Sequence, residues 1–346
     1  MLARIQPLIA IFRRRPILSL FVFIGLIAFI LLLKIRSASN QPSPAEQIFG
    51  DLPEINLPST QFAPPSSTPQ TTNLPQTTLK TAPVYQLPQP SEEVLLQFFQ
   101  PISQEQGFTN KPLSITLNQT PHLMWQNDKN FLTLNLSSGQ FTLDLHPQSV
   151  EPPSFIISEQ KAISIIKDWL TSHNLLQAGF DSTVKKFTTH FNEFAPAQPN
   201  DPITAYQISI TPKINHLPLT SPDPFEAPIS AIVDTAGNII SLYYRLPALT
   251  FSPDLSSSFY PLLTNQQINA AIKANQPSIQ TISYANGQLA PTTSTISNLS
   301  YSSISLGYSP DSKSNYLQPI FILTGTATLE DGTTVQVTAY LSAIAK

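Results

Sequence analysis

Asp234-Thr235-Ala236-Gly237 has the acid, hydroxyl and glycine of the Asp-Thr-Gly loop of aspartic proteases. In those enzymes two carboxylates share one proton, so two such loops are needed. The sequence holds no second copy, and Asp and Gly between two alternating runs are ordinary turn residues. Glu92-Glu93 is an acid pair, but adjacent helix positions point about 100° apart. Acids in a first helical turn are also explained by the helix dipole. Asp144, Glu193 and Glu226 are isolated in sequence, so only the fold can bring them together.

The five histidines are His122, His146, His173, His190 and His216. No pair has the i,i+4 spacing of a helical zinc site, and no HExxH occurs. GxSxG, SxxK, GxGxxG and phosphate-loop patterns are also missing, and ten glycines leave little material for such loops. With no cysteine, thiolate metal sites, disulfides and cysteine nucleophiles are excluded. No catalytic, cofactor-binding or metal-ligating residue is assigned. Tyr243, Tyr244 and Arg245 end an expected strand and form the candidate interaction spot, an aromatic pair beside an arginine.

The expected elements place these residues in an α+β chain. Ser91, Ser158 and Thr264 each start a helix, and Thr264 forms a capping box with Gln267. Short alternating runs follow each helix, at 113–145, 185–246 and 297–344. Turn residues at 137–139, 235–237 and 331–332 separate paired runs. This order predicts three helix-plus-antiparallel-sheet units, over 91–155, 156–250 and 251–346. Residues 37–90 form a linker in which 11 of 54 residues are proline, a composition that favours an extended, semi-rigid spacer. The stretches 48–58 and 79–88 are its exceptions. Their spaced apolar residues suit docking or an edge strand, where a proline's missing donor costs no ladder bond.

Ile17–Leu33 is an uncharged apolar run, expected to be a single transmembrane helix. Arg4, Arg13, Arg14 and Arg15 precede it and Lys34 and Arg36 follow it. This asymmetry places the N-terminal tail, 1–16, in the cytoplasm, and 17–36 forms the anchor. The small residues Ser37-Ala38-Ser39 suit a peptidase, but the run is longer than a typical signal-peptide core and two cations intervene, so an uncleaved anchor is expected. Beyond it lie 12 basic and 21 acidic residues, with Arg245 as the only arginine. Such an acidic ectodomain is unsuited to nucleic acid.

ISEQKAISIIKDWL (157–170), APISAIVDTAGNIISLYY (227–244) and LGYSPDSKSNYLQPIFILTGTA (306–327), behind a basic tail and one anchor, resemble the YycH/YycI class of bacterial membrane-anchored regulators. The resemblance implies PepSY-like ectodomain units, no catalytic residues, and a sensor histidine kinase as partner. The function expected is a non-catalytic, extracytoplasmic binding or regulatory protein of the cell envelope. It contacts the bilayer through Ile17–Leu33 and has another membrane or envelope protein as its partner. The alternatives are an envelope hydrolase with fold-assembled carboxylates and a structural surface protein.

Overall fold

Alternating apolar and polar residues dominate the chain, and in the computed structural model they become strands. The structure describes residues 48–57, 62–72, 74–145, 156–177, 179–190, 193–221, 223, 225–247, 250–252, 255–310 and 315–345. The chain divides into two units, Met1–Ile48 and Phe49–Lys346, and the two sheets belong to the second.

In chain order its elements are β1 (Gln70–Thr71), β2 (Thr81–Gln86), α1 (Glu92–Glu105), β3 (Leu113–Leu117), β4 (Thr120–Asn127), β5 (Asn130–Asn135), β6 (Phe141–Asp144) and α2 (Glu159–Ser172). Next come β7 (Phe180–His190), β8 (Glu193–Pro196), β9 (Ala205–Ile214), β10 (Leu217–Pro218), β11 (Ile229–Asp234), β12 (Ile239–Tyr244) and β13 (Ser257–Pro261). Last are α3 (Asn265–Lys273), β14 (Ser278–Ser283), β15 (Ile296–Pro310), β16 (Tyr316–Leu329) and β17 (Thr334–Ser342).

The strands form two sheets. A ten-stranded sheet runs β3-β4-β5-β6-β12-β11-β9-β7-β8, with β10 added to β9. A seven-stranded sheet runs β1-β15-β16-β17-β14, with β2 bridging β13 and β16. The three expected helix-plus-sheet units are therefore corrected to a mostly β structure. The decisive pairing is β6 with β12, where Leu143 sits opposite Leu242, because it fuses the strands of the first two expected units into one sheet. Alternation tells which face of a strand is buried but not which strand lies at its edge. The three described helices have only 14, 14 and 9 residues. Among the described residues none is long and apolar enough to cross a membrane. The expected transmembrane helix, Ile17–Leu33, lies outside the described residues.

Each helix starts where its cap dictates. The Ser91 and Ser158 hydroxyls accept from the Val94 and Lys161 amides. Thr264 and Gln267 complete their reciprocal box. Thr264→Ala is expected to cost about 1 kcal/mol, the usual value of an N-cap, read as a lowered urea midpoint with unchanged slope. Helix α1 continues through Pro101, which lies on its exposed side, where the carbonyl that loses its partner can meet water.

Helices α1 and α2 cover one face of the larger sheet. Leu95, Phe99 and Ile102 share a core with Ala162, Ile166 and Leu170 and with Leu132, Leu143, Ile208 and Leu242. Helix α3 covers one face of the smaller sheet through Ile268 and Ile272, packed with Leu323, Val337 and Ala339. Part of the proline-rich stretch belongs to this sheet. Residues Thr81–Gln86 are β2, Phe62 enters the core under α3, and Ile55 covers the opposite face against Ile320 and Tyr340.

The cores hold buried tyrosines. Burial pushes the Tyr340 phenol up to about 12 and those of Tyr244, Tyr301 and Tyr308 higher still. The folded state thus keeps protons that the unfolded chain releases near pH 10. Their stabilising contribution is complete below about pH 10 and falls as the pH rises past it. Urea midpoints measured from pH 8 to 11 should hold steady to about pH 10 and then drop. A midpoint unchanged at pH 11 would contradict this burial.

Candidate functional site

The expected interaction residues divide between two environments. Successive strand residues face opposite sides, so Tyr244 lies in the helix-covered core, 1% exposed, with its ring stacked at 5.2 Å on Phe141. Tyr243 points to the other face, 36% exposed. The Arg245 guanidinium carbon lies 5.2 Å from the Tyr243 ring centre. One guanidinium nitrogen donates to Glu226 Oε2 at 2.7 Å, and the other to Ser230 Oγ at 2.9 Å and to the Ala227 carbonyl at 3.2 Å. Desolvation raises the Tyr243 pKa first, and the Asp144 carboxylate adds to it. This cluster is a fixed cation on an aromatic plate, on the sheet face opposite the helices.

Two of the isolated carboxylates, Asp144 and Glu226, thus act on the same tyrosine. Glu226 is committed to Arg245. Asp234 belongs to its turn, accepting from the Asn238 backbone and side-chain amides at 2.7 and 2.8 Å. Glu193 opens β8, remote in strand order from β6 and β12. Glu92 and Glu93 are exposed in the first turn of α1.

Among the histidines, His173 caps α2, with Nδ1 2.7 Å from the Trp169 carbonyl and Nε2 3.0 Å from Glu105 Oε2. It joins the C-terminal ends of the two helices. His122 Nδ1 lies 2.8 Å from the Thr120 carbonyl, and His216 occupies a left-handed turn position at φ 67°. His190 lies in β7, and His146 lies outside the described residues. Among the described residues no three His, Asp or Glu side chains group as metal ligands.

The feature missed in sequence is a groove of about 400 Å³ between α1 and the β3–β4 edge of the larger sheet. Leu96, Gln100 and Gln104 line its helix side, and Ser114 its strand side. Phe108, Leu123 and Trp125 form an apolar floor. Its outer wall is low because β3 has β4 as its one described neighbour. No sequence signal marked the place: the apolar row Leu113, Ile115 and Leu117 lies on the strand face opposite Ser114, away from the groove.

No family model matches the chain, and no curated protein matches it. Two solved structures share a distant likeness of arrangement. One is an uncharacterised protein from Eubacterium rectale, 11% identical, covering 76% of this chain and 82% of that one, with a TM-score of 0.43. The other is the Bacillus megaterium YpeB C-terminal domain, 9% identical, covering 74% of this chain and 99% of that one, with a TM-score of 0.29.

Proposed function

We propose that this chain is a non-catalytic binding or regulatory protein of the bacterial cell envelope, anchored by Ile17–Leu33 with its N-terminus in the cytoplasm and its C-terminal portion outside. The observation that carries the binding half is the groove between α1 and β3, an apolar floor with polar walls. Such a surface suits a protein or peptide segment. The anchoring half rests on the uncharged apolar run and the cations before it. The resemblance to the YycH/YycI class, with its PepSY-like units, supplies the class of partner, a membrane-bound sensor kinase.

The test is purification of the full chain from membranes beside a Leu96→Arg variant, which puts a long charged side chain into the groove. The wild type should fractionate with membranes, lose its C-terminal portion to external protease, and carry an envelope protein in stoichiometric amount. The variant should keep its place in the membrane and lose the partner. Soluble wild-type protein would overturn the anchoring half. A partner retained by a folded Leu96→Arg protein would overturn the groove.

A further inference from the structure

The two edges of the ten-stranded sheet are built differently. An edge strand presents unpaired amides and carbonyls, and folded proteins usually blunt it with proline, charge or shortness. The β8 edge has four residues and ends on Pro196. The β3 edge, Leu113-Ser114-Ile115-Thr116-Leu117, contains no proline and no ionisable residue. Its apolar side chains are open to water, with Leu113 55% and Leu117 44% exposed.

The register fixes which backbone groups are free. Leu117 pairs with Thr120 across the two-residue turn Asn118-Gln119, whose φ values are 48° and 67°. In such a hairpin the residues flanking the turn form a hydrogen-bonded pair, and the pairs then alternate along the strands. Residues 113, 115 and 117 therefore direct their amides and carbonyls toward β4. Ser114 and Thr116 direct theirs outward.

The five residues also read alike in both directions in residue type: Leu, Ser, Ile, Thr, Leu. Laid antiparallel on a second copy about Ile115, the strand puts Ser114 opposite Thr116 and Leu113 opposite Leu117. Ser114 and Thr116 of each copy then exchange four backbone hydrogen bonds with those of the other. Ile115 meets Ile115 as a non-hydrogen-bonded pair, and the apolar rows of both copies join on one face. The pairing is electrostatically self-compatible: Lys111 falls opposite Gln119, and no like charges meet. A two-fold interface demands this self-complementarity of a surface.

We infer that β3 is a homodimerisation strand, and that its occupant is β3 of a second copy of this chain, antiparallel and centred on Ile115. Ser114 lines the groove beside α1, so the second copy's strand adds the outer wall that the groove lacks. The inference rests on the strand itself and is independent of the anchor and of any third protein.

The chain has no cysteine, so single introduced thiols report on it without background. Facing residues of a non-hydrogen-bonded pair have Cα atoms about 4.5 Å apart, within disulfide reach. Two copies of residue 113 lie four residues apart along the strand, about 13 Å, and cannot bridge. In full-length protein under mild oxidation, Ile115→Cys should form a disulfide-linked dimer. Leu113→Cys alone should not, and Leu113→Cys combined with Leu117→Cys should. Thr116→Pro removes an outward amide that no described strand of the same chain uses. It should lower the sedimentation mass from twice 38.0 kDa to 38.0 kDa with the circular dichroism spectrum retained. The inference is overturned if Ile115→Cys bridges no more than Leu289→Cys, an exposed site elsewhere. It is equally overturned if Leu113→Cys bridges as well as Ile115→Cys, or if the wild type sediments as a monomer.

Discussion

Gly325→Ala is expected to destabilise the protein by roughly 3 kcal/mol or more, above the usual penalty for overpacking. Gly325 lies in the middle of β16, between Tyr301 of β15 and Val337 of β17. A β-carbon built there runs into the Ser300 carbonyl oxygen and falls 2.7 Å from the Tyr301 α-carbon. Both are backbone atoms of a paired strand, so no side-chain rotation relieves the clash. The register of β15 shifts between Tyr301 and Ser303, and at this bulge the two backbones draw together. The requirement is for space, in contrast to Gly332, whose φ of 85° needs conformational freedom in the β16–β17 turn. Urea unfolding of Gly325→Ala should show a much lower midpoint. A loss under about 1 kcal/mol would mean that the strands part at little cost.

Tyr308→Ala is the second large effect, an expected loss of about 3–5 kcal/mol, the range for truncating a buried aromatic side chain. Tyr308 belongs to β15, yet its fully buried ring packs in the core under α1 and α2. Its hydroxyl donates to the Pro83 carbonyl at 2.9 Å, and its ring meets Tyr85 edge-on at 5.5 Å. Its own carbonyl accepts from the Thr220 amide at 2.8 Å. The side chain thus ties β15 to β2, and the backbone of the same residue holds the segment after β10. Tyr308→Phe keeps the ring and orphans the Pro83 carbonyl, so it should cost about 1–2 kcal/mol. Calorimetry should show the alanine variant melting far below the phenylalanine variant. Equal melting temperatures would place the hydroxyl, not the ring, at the centre of the junction.

What the sequence disclosed was local. Ser91, Ser158 and Thr264 start helices because a side-chain oxygen beside free amides acts within one turn of chain. The faces of β9 and β17 follow from alternation, again a local property. The split of Tyr243 from Tyr244 was also legible, since a period of two sends neighbours to opposite faces. The assignment of both to one interaction spot set that period aside. The joining of β6 to β12 was not legible, because it depends on which of many similar edges meet across some 100 residues. The groove stayed hidden for the same reason: Phe108, Ser114 and Trp125 form a wall and floor only once α1 has crossed the β3–β4 hairpin. The Arg245 cluster needed the loop residue Glu226, 19 positions away, to return beside its strand.

Gln100 stands exposed on the groove side of α1, whereas Lys273 stands exposed at the end of α3, away from it. A photo-crosslinking amino acid placed at each site in full-length protein, and irradiated in intact cells, tests the binding surface directly. Recognition at the groove predicts one discrete adduct with an envelope protein from position 100 and none from position 273. The same adduct from both positions, or none from position 100 in correctly localised protein, would contradict it.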